Sequence, residues 1–193
     1  MQLTKKHNFD TVFDSQKLFR LVLEAIANPT KIVNIKEYAD KLFGYHPLFL
    51  AVAMTLLDNE VSFNTCENCS LTDELASLTL AKKENIETAD FIFIYDLNYM
   101  ECAIKNAKYG TLSDPHKSAT VVVRNDDEPI CRLTLYGPGI AGRTTVNATQ
   151  TVKDAIALRD AQNYEYPKGI DLIFVSSTGE LIAIPRLTRV EVQ

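Results

Sequence analysis

Along the first third of the chain, apolar residues recur at helical spacing. Leu18, Val22 and Ile26 repeat every fourth residue with Phe19 and Leu23 beside them. That spacing predicts a helix with one buried face, capped by Asp14 or Ser15 and running to about Ala27. Asn28-Pro29 ends it, because proline cannot continue the hydrogen-bond ladder. Lys31 to Ile35 reads as a strand. His46-Pro47 opens a second helix with proline at its first position. Pro47 to Leu57 is interrupted only by Thr55, so this helix is expected to be covered nearly all round. Val61 to Asn64 reads as a short strand. Ser70-Leu71-Thr72-Asp73 fits a capping box ahead of a further helix.

The pattern then shifts to short apolar runs. Asp90 to Tyr95 is continuous, the form of a strand covered on both faces. A helix from Asn98 to Lys108 follows, then a turn-rich connection from Gly110 to Lys117. Ala119 to Val123 and Cys131 to Tyr136 are predicted to pair as a hairpin across Asn125 to Pro129. A Gly-rich loop leads to a helix from about Thr151 to Gln162. Ile170 to Val175 and Glu180 to Pro185 form a second hairpin around Ser176 to Gly179. Arg189 to Val192 reads as a last edge strand. Helices and strands that alternate, with two antiparallel hairpins interposed, predict one α/β domain over residues 1–193, a mixed sheet with helices on its faces.

Composition narrows the function classes. The chain has 193 residues, 20 basic and 25 acidic, for a net charge of −5. That balance lacks the basic footprint of a general nucleic-acid binder. At 46% hydrophobic residues it is not a disordered chain, and seven Gly and seven Pro exclude a collagen-like one. Residues 1–97 carry all of the net charge and 98–193 are neutral, but neither half is a charged tail. No apolar core follows Lys5 and Lys6, so no secretion signal is read. The Pro47–Leu57 run falls short of the ~18–20 apolar residues of a membrane span. A cytoplasmic protein without a membrane contact is expected.

Candidate chemistry is sparse. Cys66-Glu67-Asn68-Cys69 is a Cys-x-x-Cys pair at a possible strand-to-helix junction, open to redox or metal readings. A zinc site would need a second pair, which is missing, so two cytosolic thiols in a loop is the preferred reading. Gly137-Pro138-Gly139-Ile140-Ala141-Gly142 matches Gly-x-Gly-x-x-Gly. Its preceding strand reads as half of a hairpin, and Arg143-Thr144-Thr145-Val146 opens a helix poorly, so a sharp turn is expected rather than a dinucleotide site. The loop could also face an anion or a partner, with Arg143 close by. His7, His46 and His116 are scattered, and Asp114-Pro115-His116 is held extended by its proline. No phosphate loop, nucleophile elbow or metal spacing appears, so no catalytic residue and no metal ligand is assigned. The strongest local signal is Tyr166-Pro167-Lys168-Gly169-Ile170-Asp171 running on to Ile184-Pro185-Arg186. Asp171 lies in an apolar strand and needs a partner. Arg186, just past the neighbouring strand, could pair with it or grip an anion.

That terminal block, with Leu181 to Val192, strongly resembles the close of the PhnH family of carbon–phosphorus lyase subunits. Three other segments are similar to the same family. They are Phe13 to Pro29 with Asp14, Gln16, Phe19 and Arg20 in register, Gly110 to Pro115 with Ala119-Thr120-Val121, and Leu133 to Ile140. Residues 60–110 match most loosely, and the Cys66–Cys69 pair stands outside the pattern. The resemblance implies a three-layer fold similar to the large domain of pyridoxal-phosphate transferases, used without that cofactor or any other. It implies a part in alkylphosphonate breakdown. With PhnG, PhnI and PhnL, such a subunit joins an alkylphosphonate to the ribose of ATP or GTP, a transferase reaction giving a ribose 1-phosphonate 5-triphosphate. PhnI is the implied home of the chemistry, PhnJ a further partner, and a homodimer the implied state alone. An accessory role is therefore expected, with Gly137, Gly139, Arg143, Asp171, Pro185 and Arg186 as candidate ligand or partner contacts. Two alternatives stay open. In one, Arg186, Arg143 and the glycines hold a phosphonate or triphosphate in the chain's own active site. In the other, one of Lys105, Lys108, Lys117 and Lys168 carries pyridoxal phosphate.

Overall fold

The computed structural model describes residues 7–192. The reading of Met1 to Lys6 as lacking a signal core falls outside them. In chain order the first elements are α1 (Phe13–Ala27), β1 (Val33–Asn34), α2 (Lys36–Ala39), α3 (Pro47–Leu56), β2 (Ser62–Asn64), α4 (Cys69–Thr79), β3 (Lys82–Lys83) and β4 (Phe91–Ile94). Then come α5 (Met100–Asn106), β5 (Thr120–Arg124), β6 (Cys131–Tyr136), β7 (Arg143–Ala148), α6 (Gln150–Asp160), β8 (Asp171–Val175), β9 (Glu180–Ile184) and β10 (Arg189–Val192).

Seven strands form a mixed sheet in the order β1-β9-β8-β5-β4-β2-β3. Strands β3, β2, β4, β5 and β8 run parallel, and β9 turns back antiparallel onto β8. Side chains of the central strands alternate between two separate cores. Phe63, Phe93, Val122, Ile173 and Val175 pack with α1, α3 and α4. Ile92, Ile94, Val121, Val123, Leu172 and Phe174 pack with α5, α6, β6 and β7. A strand covered on both faces must be apolar at consecutive positions, as 91–94, 121–123 and 172–175 are. The result is three layers, with α1, α3 and α4 on one face of the sheet and α5, α6 and a second small sheet on the other.

That second sheet corrects the sequence reading. β5 and β6 do not form a hairpin. β5 lies between β4 and β8 in the centre of the large sheet, while β6 pairs with β7 and β10 in the order β10-β6-β7. The physical reason is visible in the residues. Val121, Val122 and Val123 are all fully buried and need cover on both faces, whereas β6 carries exposed Arg132 between its apolar positions. The hairpin partner of β6 is β7, which the sequence reading left inside a loop. The β8–β9 hairpin and the edge position of β10 are as expected.

Helix ends also shift. α1 begins two to three residues earlier than a cap at Asp14 or Ser15 allows, because Asp10 Oδ1 accepts from the N–H groups of both Val12 and Phe13 at 2.8 Å. Its buried face is Asp14, Leu18, Val22 and Ala25, so Phe19 and Leu23 stay about half exposed. α4 begins at Cys69, because Asn68 accepts from the Leu71 N–H at 3.0 Å in place of the Ser70 box. α6 is capped by Thr149, whose hydroxyl accepts from the Val152 N–H at 3.1 Å.

Candidate functional site

The C-terminal block folds into a corner at the edge where the parallel strands begin. The register of β8 on β9 sets Leu172 opposite Ile184, which brings Asp171, the first residue of β8, against Pro185 and Arg186. Asp171 Oδ1 accepts from the Arg186 backbone N–H at 2.8 Å, and its Oδ2 lies 3.6 Å from Arg186 Nη1. The same Nη1 donates to the Pro115 carbonyl at 2.7 Å and to the Ser118 hydroxyl. The expected Asp171–Arg186 pair is therefore present, and it braces the corner against the 110–118 connection. Both side chains are partly exposed, so the ion pair alone contributes at most about 1 kcal/mol.

The Gly-x-Gly-x-x-Gly segment is the tip of the β6–β7 hairpin, not the start of a helix. A Cβ at Gly139 would sit 2.4 Å from the Ala27 carbonyl, and one at Gly137 2.9 Å from the Leu187 carbonyl. Both residues have positive φ, 80° and 132°. The glycines let the tip pack onto the end of α1 and onto the turn at the Arg186 corner. That is a structural use, without any phosphate-binding geometry.

Arg186 and Leu187 separate two clefts. The first, about 380 Å³, is mainly apolar and is lined by Ile26, Pro138, Gly139, Asp171, Pro185 and Arg186 among others. Four of the six residues expected from the sequence thus meet in one place, and Gly137 adjoins them through its contact with Leu187. Arg143 does not. It opens β7, pairs with Glu191 at 2.6 Å, lies over the Tyr136 ring and is outside both clefts.

The second cleft, about 190 Å³, is polar and was not legible in the sequence. Arg159, Lys168, Arg186 and Arg189 line it, with Asp160 as its one carboxylate and Asn163, Tyr164 and Tyr166 as its neutral polar groups. Arg159 comes from the last turn of α6, Lys168 and Tyr164 from the connection into β8, and Arg189 from the start of β10. Arg159 is buried and spent: it binds Asp160 at 2.8 Å and donates to the Pro185 and Thr188 carbonyls. Lys168 is 3.5 Å from the exposed Glu165 carboxylate. The Tyr164 hydroxyl is buried and has no hydrogen-bond partner among the described residues. Burial, and then nearby Tyr109, push its pKa above the ordinary tyrosine value. Gly169, at φ 148°, admits the pairing of these groups, since a Cβ there would meet Arg186 Cβ at 3.0 Å. Only the clustering of Lys168, Arg186 and Arg189 near the C-terminus hinted at this site. Arg159 lies 27 positions before Arg186, and no periodicity links them.

Other reactive groups have structural partners. His46 is buried, with Nδ1 2.9 Å from Glu74, Nε2 3.4 Å from Asn68 Nδ2 and its ring edge-on to Tyr95. It ties the start of α3 to α4, an arrangement the sequence reading missed because Glu74 lies 28 residues away. His7 Nδ1 accepts from the Phe43 N–H at 3.0 Å, and His116 is exposed. The Cys66–Cys69 pair does stand at a strand-to-helix junction, between β2 and α4. However, burial holds the Cys66 thiol up at about 12, opposite to a redox-active cysteine. Both cysteines are free thiols.

Comparison with known proteins covers nearly the whole chain. A family model described as "Bacterial phosphonate metabolism protein (PhnH)" matches residues 7–191. A Stutzerimonas stutzeri protein named "Putative C-P lyase subunit protein HtxG" is 26% identical over 181 residues. The alignment covers 92% of this chain and 86% of that one.

Proposed function

Since the chain belongs to the bacterial phosphonate metabolism protein (PhnH) family, we propose that it is a subunit of a carbon–phosphorus lyase system for alkylphosphonate breakdown. In this reading it acts with PhnG-, PhnI- and PhnL-type subunits, and beside a PhnJ-type one, in the cytoplasm. Their joint reaction attaches an alkylphosphonate to the ribose of ATP or GTP in place of the base, giving a ribose 1-phosphonate 5-triphosphate. The chain serves as an accessory subunit of one α/β domain over residues 1–193. The family match across residues 7–191 carries this reading. A relative named as a C-P lyase subunit supports it.

Two structural observations favour an accessory role. The buried histidine, His46, is engaged at both ring nitrogens, and the buried thiol of Cys66 stays protonated. In addition, α1 and the residue before it present Val12, Phe13, Phe19 and Leu23 to solvent, each more than two-fifths exposed. Such a run on a surface helix suits a subunit contact, with a second copy when the chain is alone and with a related subunit in the complex.

The three-layer architecture is read as that of the large domain of pyridoxal-phosphate transferases, used without the cofactor. The lysines that could carry a Schiff base are engaged: Lys105 with Glu101, Lys108 with Asp90, Lys117 with Asp114 and Lys168 with Glu165. Adding pyridoxal phosphate to the purified chain is expected to produce no new protein-bound visible band.

The decisive experiment is co-expression with the partner subunits, affinity purification and native mass spectrometry. A stoichiometric hetero-oligomer is the expected result. A complex lacking only this chain that turned over alkylphosphonate at full rate would sink the proposal.

A further inference from the structure

The cleft between α6 and the Arg186 corner has chemistry that the accessory reading leaves unused. Four cationic side chains converge on about 190 Å³ that holds one carboxylate, Asp160. Three of them have an acidic neighbour: Arg159 with Asp160, Lys168 with Glu165 and Arg186 with Asp171. Arg189 has none among the described residues and is exposed. Arg186 directs only Nη1 at its protein partners, so Nε and Nη2 remain without hydrogen bonds among the described residues. The Tyr164 hydroxyl, on a residue that lines the cleft, is buried and has no hydrogen-bond partner among the described residues. A buried polar group left unpaired costs about 1–3 kcal/mol, so such groups are normally satisfied by protein, water or ligand. Tyr164 packs on the Tyr109 ring, centroids 5.0 Å apart, and Lys168 lies over the same ring.

We propose that this cleft binds a tetrahedral phosphorus oxyanion through Lys168, Arg186 and Arg189, with Tyr164 donating from the floor. Guanidinium forks and an ammonium match phosphate-class oxygens in charge and geometry. Arg159 does not contact the anion; it positions the Pro185–Thr188 turn that carries Arg186 and precedes Arg189. Clefts that enclose a whole organic ligand span roughly 300–1,000 Å³. This one is smaller, which fits one phosphonate or one phosphate group of a larger molecule. The identity of that anion, an alkylphosphonate or the terminal phosphate of a nucleotide, rests on the function proposed above. The site itself does not.

The test is calorimetry on the full chain with three probes: inorganic phosphate, methylphosphonate and ATP. Binding of at least one, weakened by added salt, is expected. Lys168→Ala and Arg189→Ala should each weaken it about tenfold, the scale of one lost charge-assisted hydrogen bond. Arg143→Ala, a cation outside the cleft, should leave it unchanged. Tyr164→Phe keeps the ring packing and should still weaken binding, which guards against a misfolded alanine variant; circular dichroism checks the fold of each. Preference for methylphosphonate over ATP identifies the phosphonate as the ligand, and the reverse identifies the nucleotide. No binding of any probe at millimolar concentration overturns the proposal, as does equal weakening by Arg143→Ala. Native mass spectrometry of Lys168→Ala with the partner subunits separates the two readings. An intact complex with lost anion binding leaves the subunit role standing, and an unaltered chain that binds anion but fails to assemble leaves the site standing; normal anion binding by Lys168→Ala overturns the site.

Discussion

At the scale of single residues, burial decides which groups can react. Cys66 and Cys69 are three apart in sequence yet differ completely in exposure: Cys66 is buried with its thiol held up at about 12, and Cys69 is exposed. The thiolate is the nucleophile, so at mildly alkaline pH iodoacetamide should modify Cys69 and exposed Cys102 while Cys66 stays intact until the protein unfolds. Mass spectrometry of peptides from the folded protein reads this directly, and fast labelling of Cys66 would contradict the structure. Cys66 and Glu67 also share a left-handed backbone, with φ of 50° and 65°, in a turn closed by the Asn68 N–H donating to the Thr65 carbonyl. Sequence reading placed the cysteine pair at the correct junction. It could not place one thiol inside the core.

At the scale of elements, the close approach of the β6–β7 tip to α1 makes a sharp prediction. Gly139 and Gly142 share a φ of 80°, but a Cβ at Gly139 would collide with the Ala27 carbonyl while one at Gly142 meets nothing within 4 Å. Gly142→Ala should therefore cost about 1–2 kcal/mol, the strain of a left-handed residue. Gly139→Ala should cost clearly more, since the hairpin must also lift from the helix. Urea denaturation of the two variants compares them; equal losses would refute the contact. Helix α1 supplies a second test. Leu23 is half exposed on the face away from Leu18 and Val22, so Leu23→Asp should leave thermal stability nearly unchanged. The same change should disrupt subunit association in native mass spectra if α1 is a contact surface. The apolar spacing that predicted α1 included Phe19 and Leu23 in its buried face, because periodicity cannot tell a core-facing stripe from one awaiting a partner.

At the scale of the whole molecule, carboxylates that tie together segments distant in sequence set the acid limit of stability. Hydrogen bonding to Lys41, then the Asp10 N–H, holds Asp14 below its ordinary value, tying α1 to the segment after α2. Burial alone would raise Asp90 and Asp126. Lys108 and Ser62 outweigh it at Asp90, and Arg124 and Ser177 at Asp126, so both end up lowered. A carboxylate depressed in the folded state stabilises the fold above its unfolded pKa, and that stability is lost as pH falls through the folded value. Melting temperature should therefore drop progressively below about pH 4, the ordinary carboxylate range. Asp14→Asn and Asp90→Asn should each lower stability at neutral pH and flatten the acid limb. Their effects should add, because the two pairs share no partner. Differential scanning calorimetry across pH 7 to 3 measures this, and an unchanged acid slope in both variants would remove the pairs from the account.

The sequence by itself determined most of the elements and the class, though not β7. The continuous apolar run at 91–94 reads as a strand covered on both faces, the run at 121–123 reads as a strand though not as a central one, and the spacing from Leu18 to Val22 reads as a helix. The β8–β9 hairpin and the Asp171–Arg186 pair were equally legible, because a turn and a few residues separate their members. Tertiary structure alone decided which strand lies beside which. β5 left its neighbour β6 for β4 and β8, since its three buried valines gain more from cover on both faces than from a short turn. Tertiary structure also built the cationic cleft. Arg159, Tyr164, Lys168, Arg186 and Arg189 come from a helix end, a connection, a corner and an edge strand. Side-chain chemistry is written locally in a sequence, but convergence depends on the path of the backbone between distant positions, and no local pattern encodes that path.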